Sequence, residues 1–247
     1  MSHLDNELKR IKTKVTEMWE LVEFQVQSGQ QALVNGDKAL AGKIIKRGKK
    51  VNNYDLKIDQ LCENLLALFN PLAVDLRLIL AILKINSNLE RIGDTAEGIA
   101  GLILDANAPV EKDLLEMSRV LEMYEGALLM LSEVKRAFVE EDTQLAKLVM
   151  RQDKTLNKIH RNTDQMIIEY MKLHPENIDQ SLKVGGIIRK LERVGDHVTN
   201  IAEEIVFYVD AKVVKHKPKP WKEKKRKADF QDESENNGEE TDQNTSE

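Results

Sequence analysis

The sequence predicts an all-α protein built as two tandem antiparallel three-helix bundles with a disordered C-terminal tail. Three observations carry this. Apolar residues recur at helical spacing through several segments of about 30 residues. The string Leu89-Glu90-Arg91-Ile92-Gly93-Asp94 returns as Leu191-Glu192-Arg193-Val194-Gly195-Asp196, 102 residues later, so the chain reads as an internal repeat. Aromatics are only 4% and charged residues 32% of the 247 residues, a balance that favours helices over sheets.

The elements follow in order. Residues 4–34 carry apolar positions at Leu8, Ile11, Val15, Met18, Val22 and Val26. Asn35-Gly36-Asp37 stops this helix and caps the next. The second helix, 38–69, has the stripe Tyr54, Ile58, Leu61, Leu65 and Leu68, and Asn70-Pro71 breaks it. The third, 72–105, runs through Ile82, Ile85, Leu89, Ile92, Ala96, Ile99 and Ile103. A fourth helix is expected over 111–140, through Leu114, Met117, Leu121, Leu128 and Leu131. The fifth covers 143–173, ending at His174-Pro175, and the sixth 177–213. The expected units are therefore 1–107 and 108–214, one repeat each, with a charged tail over 215–247.

The tail is sharply segregated. Lys215–Lys227 holds eight Lys or Arg, whereas Asp229–Glu247 holds eight acids and no base. Such a segment cannot bury a core. A solvated tail is the plain reading; a basic patch against anionic lipid is the alternative. No apolar run is long enough to span a bilayer, and Met1–Asp5 lacks a signal-peptide plan. The single cysteine excludes a disulfide framework and fits a reducing compartment. A net charge of −5 argues against nucleic acid as the main partner.

The candidate site is acidic. Glu90 and Asp94 stack at i,i+4 one residue beside the core stripe of the third helix, and Leu76, Leu80, Leu83 and Ser87 extend that line backwards. Asp55 and Asp59 do the same on the second helix, continued by Cys62. Four carboxylates on facing antiparallel helices repel, so a metal cation or arginine must offset them. Oxygen donors without thiolate suit hard or borderline cations such as iron, manganese, magnesium or zinc. The second half offers Asp153, Glu192 and Asp196, with Asn157 where Asp59 would stand and His160 as a further possible ligand. His197 points to another face, with Asn200 and Glu203 nearer the line. Gly93 and Gly195 suit the close approach of another helix or an ion cluster. Glu-x-x-His, a glycine-rich phosphate loop and a GxSxG nucleophile are all absent, which argues against an enzyme. A metal-free helical scaffold neutralised by Arg91 and Arg193, and a carboxylate-bridged metalloenzyme, stay open as alternatives.

At these residues the chain resembles the PhoU family of phosphate-signalling and phosphate-transport accessory proteins. The resemblance is carried by Val51–Asp59, by Asp75-Leu76-Arg77-Leu78 after Asn70-Pro71, by the doubled ERxGD and by His174–Asp179, and covers about residues 5–213. It implies a cytoplasmic, often dimeric protein whose E/DxxxD motifs carry multinuclear iron or zinc clusters. Here those motifs would be Asp55, Asp59, Glu90 and Asp94, and Asp153, Glu192 and Asp196. The resemblance further implies restraint of phosphate uptake and of the starvation response, through contact with the phosphate ABC transporter and its sensor histidine kinase. Membrane contact is then expected only through those partners.

Overall fold

In the computed structural model residues 3–214 are described, and among them the regular structure is helical throughout. The order is α1 (His3–Asn35), α2 (Lys38–Phe69), α3 (Ala73–Leu104), α4 (Lys112–Ser118), α5 (Val120–Glu140), α6 (Thr143–Leu173), a 3-10 turn at Pro175–Asn177, and α7 (Ile178–Asp210). Both readings of the tail fall outside the described residues. No helix among the described residues is long and apolar enough to cross a membrane.

The breaks follow the local chemistry. Gly36 takes φ 61°, and Asp37 accepts a hydrogen bond from the Leu40 amide at 2.9 Å to start α2. Asn70 ends α2 in the left-handed region ahead of Pro71. Asp142 caps α6 through the amides of Gln144 and Leu145. One expectation is corrected: the helix expected over 111–140 is two helices. Arg119, at φ 55°, separates α4 from α5. The buried Ser118 hydroxyl donates to the Leu115 carbonyl and lies 3.4 Å from the Val120 amide, so a side chain competes with the helical ladder there. Apolar periodicity does not register a one-residue kink that preserves the buried face. The last helix also stops at Asp210 rather than 213. Leu68 and Met117, expected in the stripes, are exposed, each in the last turn of its helix.

The core runs through both repeats. The indole N–H of fully buried Trp19 donates to the Leu131 carbonyl, tying α1 to α5. Phe138 packs between Trp19 and Tyr208. Helices α3 and α7 cross antiparallel along their length. Lys84 reaches Glu204 (1% exposed) at 3.3 Å, Asn88 meets His197 and Asn200, and Lys190 lies over Gly98. Asn200 thus faces α3, not the carboxylate line on which it was expected.

Candidate functional site

The first seam lies between α2 and α3. Asn86, fully buried on α3, donates its amide to Asp55 Oδ1 at 2.8 Å, to the Asp55 carbonyl at 3.0 Å and to Asp59 Oδ1 at 2.9 Å. Asn86, Glu90 and Asp94 form one i,i+4 line; Ser87, expected at its foot, is exposed. Asn86 lies four residues before Glu90, but the sequence line ran one residue over, through Ser87, and missed it. Burial, then the Asp59 charge, raises the Asp55 carboxyl above its ordinary value. Glu90 is raised by burial, by the Asp94 and Asp55 charges, and by a hydrogen bond with Asp94. Glu97 is raised by burial and by Asp94 and Glu90. Its carboxylate lies across Gly48 of α2, where a Cβ would stand 1.6 Å from Oε1. Cys62 is fully buried, and burial pushes its thiol up to about 12, so it behaves as core.

The second seam lies between α6 and α7, and its register differs from the expected one. Gly93 of α3 packs on Val51, and Gly195 of α7 on Leu156; Glu90 feels Asp55, and Glu192 stands 3.7 Å from His160 Nδ1. The caps Asp37 and Asp142 agree with these pairs. Helix α6 therefore follows α2 at an offset of 105 residues, against 102 for α7 on α3. Asp55 corresponds to His160, and Asp59 to Asp164, which sequence reasoning missed. Asp153 corresponds to Gly48, so Asp153-x-x-x-Asn157 is not the counterpart of Asp55-x-x-x-Asp59. The two glycines serve helix contact: a Cβ on Gly195 would lie 2.9 Å from Leu156 Cδ2 and 3.0 Å from Asp153 Oδ1.

Asp153 is the most perturbed acid. Burial, then the Asp196 and Glu192 charges, lifts it from 3.8 to about 6. Asn157 donates its amide to Asp153 Oδ2, while Oδ1 is buried with no hydrogen-bond partner. Burial, then Asp196, raises Glu192; burial raises Asp196. Arg91 and Arg193 are exposed and form no ion pair with these acids, although Arg193 lowers both Glu192 and Asp196 through space. Asp94 and Asp196 lie exposed, so each seam opens to solvent.

The donor set, carboxylate oxygens with one imidazole, suits hard or borderline cations. Mutual repulsion and the orphan Asp153 oxygen fit a cation. The Asn86 amide between Asp55 and Asp59 satisfies those acids without one. Among the described residues no group of three or more His, Cys, Asp or Glu stands ready to hold a metal ion.

The sequence profile described as PhoU domain matches twice, at residues 15–103 and 120–205. The chain is 36% identical over 209 residues to a phosphate-specific transport system accessory protein PhoU homolog of Borreliella burgdorferi, covering 83% of this chain and 93% of that one. It is 32% identical over 210 residues to phosphate-specific transport system accessory protein PhoU of Escherichia coli, covering 85% and 86%. Among solved structures, PhoU from Pseudomonas aeruginosa superposes with a TM-score of 0.77 at 31% identity, covering 85% of this chain and all of that one. The phosphate transport system regulatory protein PhoU from Streptococcus pneumoniae gives 0.78 at 28% identity, covering 86% and 99%. A fold of duplicated three-helix units, the doubled ERxGD string at the α3–α7 crossing and these likenesses agree: the chain belongs to the PhoU family.

Proposed function

We propose that this protein is a negative regulator of phosphate uptake and phosphate-starvation signalling. It acts as a cytoplasmic, dimeric adaptor between a phosphate ABC transporter and its sensor histidine kinase. The observation that carries this is the pair of acidic seams on a fold shared with proteins named as phosphate transport accessories. No nucleophile–base pair accompanies those seams among the described residues, which favours a binding role over a catalytic one. Asp55, Asp59, Glu90 and Asp94 would hold cations at the first seam, with Glu97 beside them. Glu192, Asp196 and His160 would do so at the second, with Asp153 supplying its orphan oxygen, whereas Asp164, one turn beyond His160, is exposed and paired with Arg189. Bound iron or zinc would supply positive charge that cross-links α2 to α3 and α6 to α7. The adaptor would then sense transporter state through different affinities for its conformations.

The test is co-purification of the tagged full chain with a phosphate transporter's ATPase and its kinase, with elemental analysis and light scattering of the purified protein. Association with both, bound transition metal and a dimeric mass are expected. Failure to capture either membrane component would refute the adaptor. The Asn86 amide favours one rival, a metal-free scaffold; metal-free protein that still binds its partners would establish it.

A further inference from the structure

A basic groove lies apart from both acidic seams, between α1 and α2. It is lined by Phe24, Lys43, Lys46, Arg47 and Lys50. The Arg47 guanidinium lies over the Phe24 ring at 3.8 Å. Phe24 is nevertheless 38% exposed, and Ile45, within the same run of bases, is 37% exposed. None of the four bases forms an ion pair with a carboxylate among the described residues, although lysines and arginines elsewhere do, among them Lys12 with Glu141, Lys135 with Glu23 and Lys147 with Asp210. Four unpaired cations on fewer than three helical turns repel one another.

The repeat supplies an internal control. The same groove recurs between α5 and α6, lined by Glu122, Glu125, Leu129, Gln152 and Thr155 among others. At the 105-residue offset Leu129 replaces Phe24, Gln152 replaces Arg47 and Thr155 replaces Lys50. The helices pack in both repeats, so packing does not require the bases. Of the four bases only Lys46 has a basic counterpart, Arg151, so the second repeat keeps one base at positions where the first carries four, in a chain whose net charge is −5.

We infer that the α1–α2 groove is a docking surface for anionic lipid, by which this protein touches the bilayer directly. The chemistry favours a lipid surface over an acidic protein. Three of the four bases are lysines, long point charges that reach a diffuse anionic plane, whereas bidentate recognition of carboxylates favours arginine. Phe24 supplies an exposed aromatic group among those charges, the mixture that seats at the headgroup boundary. The chain has a second basic segment in sequence, Lys215–Lys227 with Trp221, and its charge adds to the attraction towards an anionic plane. The glutamates of the α5–α6 groove repel such a surface, so the contact belongs to the first repeat. It supplements the contact through the transporter proposed above and does not depend on it.

The experiment is sedimentation of the purified full chain with vesicles of phosphatidylcholine alone, or with 30% phosphatidylglycerol, a proportion set on the order of that in anionic membranes. Binding is expected only to the anionic vesicles, and it should weaken as salt rises. Each base near the surface contributes about fivefold in partitioning. The triple variant K43Q/K46Q/K50Q should therefore lose at least tenfold, and Phe24→Ala should lose several-fold. Neutralising the bases of Lys215–Lys227 in a separate variant should leave the loss on K43Q/K46Q/K50Q in place. Phe24, Lys43, Lys46 and Lys50 are all exposed, so circular dichroism and melting of those variants should match the parent. Equal binding by parent and triple variant would overturn the inference. So would a failure of the parent to bind anionic vesicles while an acidic protein is captured through the groove. Loss of transporter co-purification with vesicle binding intact would refute the adaptor reading and leave this one standing.

Discussion

Replacing Asp153 with asparagine should stabilise the metal-free protein at neutral pH. The folded carboxyl sits at about 6, against 3.8 ordinarily. A carboxyl raised on folding binds its proton more tightly in the native state. Its effect on stability is nil below about 3.8, where both states are protonated. Stability then falls as pH rises towards about 6, and the full loss persists above that. A rise of that size would correspond to about 3 kcal/mol for a fully buried carboxyl, and solvent screening at this half-buried site leaves about 1–2 kcal/mol of it. Asparagine keeps the shape and an acceptor for Asn157 while removing the charge that Glu192 and Asp196 oppose. The expected gain is about 1–2 kcal/mol at pH 7, reduced by repacking of the Asn157 amide, and about half as much near pH 5. Urea titration in chelator at both pH values measures it, with the m-value held constant as the check on two-state behaviour. If cations fill the second seam, adding Zn²⁺ or Fe²⁺ should stabilise the parent and leave the variant almost unmoved, reversing their order. A variant no more stable than the parent at pH 7 in chelator would refute the reasoning, because the repulsion assigned to Asp153 would be absent.

Asn86→Leu removes the donor shared by Asp55 and Asp59 and should cost about 2 kcal/mol in chelator, by urea titration. Adding cation should recover part of that loss, because a cation neutralises the same two acids. Gly195→Ala should destabilise by about 1–3 kcal/mol, since its Cβ meets Leu156 and Asp153 at 3.0 Å or less. The control is Gly101→Ala, whose Cβ meets nothing within 4 Å and which should gain about 0.5–1 kcal/mol. Thermal melts of the pair compare the two, and equal effects would remove the close-approach argument.

The helices and their breaks were legible because capping chemistry is local. Gly36-Asp37, Asn70-Pro71 and Asp142 act through their own backbone and their neighbours'. The kink at Arg119 was not legible, because a buried hydroxyl two atoms from the main chain decides it without disturbing the apolar stripe. The first seam was legible as acidic, since i,i+4 acids share a helix face. Its buried Asn86 was missed because a neutral amide carries no charge pattern. The second seam was misregistered. The string Asp153-x-x-x-Asn157 imitates Asp55-x-x-x-Asp59, and matching like letters hid the two-turn shift. Matching the caps Asp37 and Asp142 instead gives the observed register and brings His160 opposite Glu192, with Asp164 one turn on against Arg189 at 3.6 Å.

That register shift also bears on what the repeat preserves. Where α2 has Gly48 and α3 reaches across with Glu97, α6 has Asp153 and α7 has Thr199. The long acid has changed helices, and the small partner has changed with it. The amide differs too: α3 supplies Asn86, whereas its counterpart on α7 is the buried Ile188, and the second seam uses Asn157 of α6, whose counterpart on α2 is the exposed Asn52. Packing by itself is satisfied by an apolar residue at such a place, as Ile188 demonstrates. Yet a third carboxylate still enters each seam, from opposite sides, beside a pair it repels. Burial and like charge raise its pKa in both repeats, which costs the metal-free fold stability. Two different residue arrangements that arrive at the same unfavourable electrostatics are hard to explain by packing. They follow directly from the cation-binding role proposed above, in which the quantity each seam must supply is negative charge facing something positive.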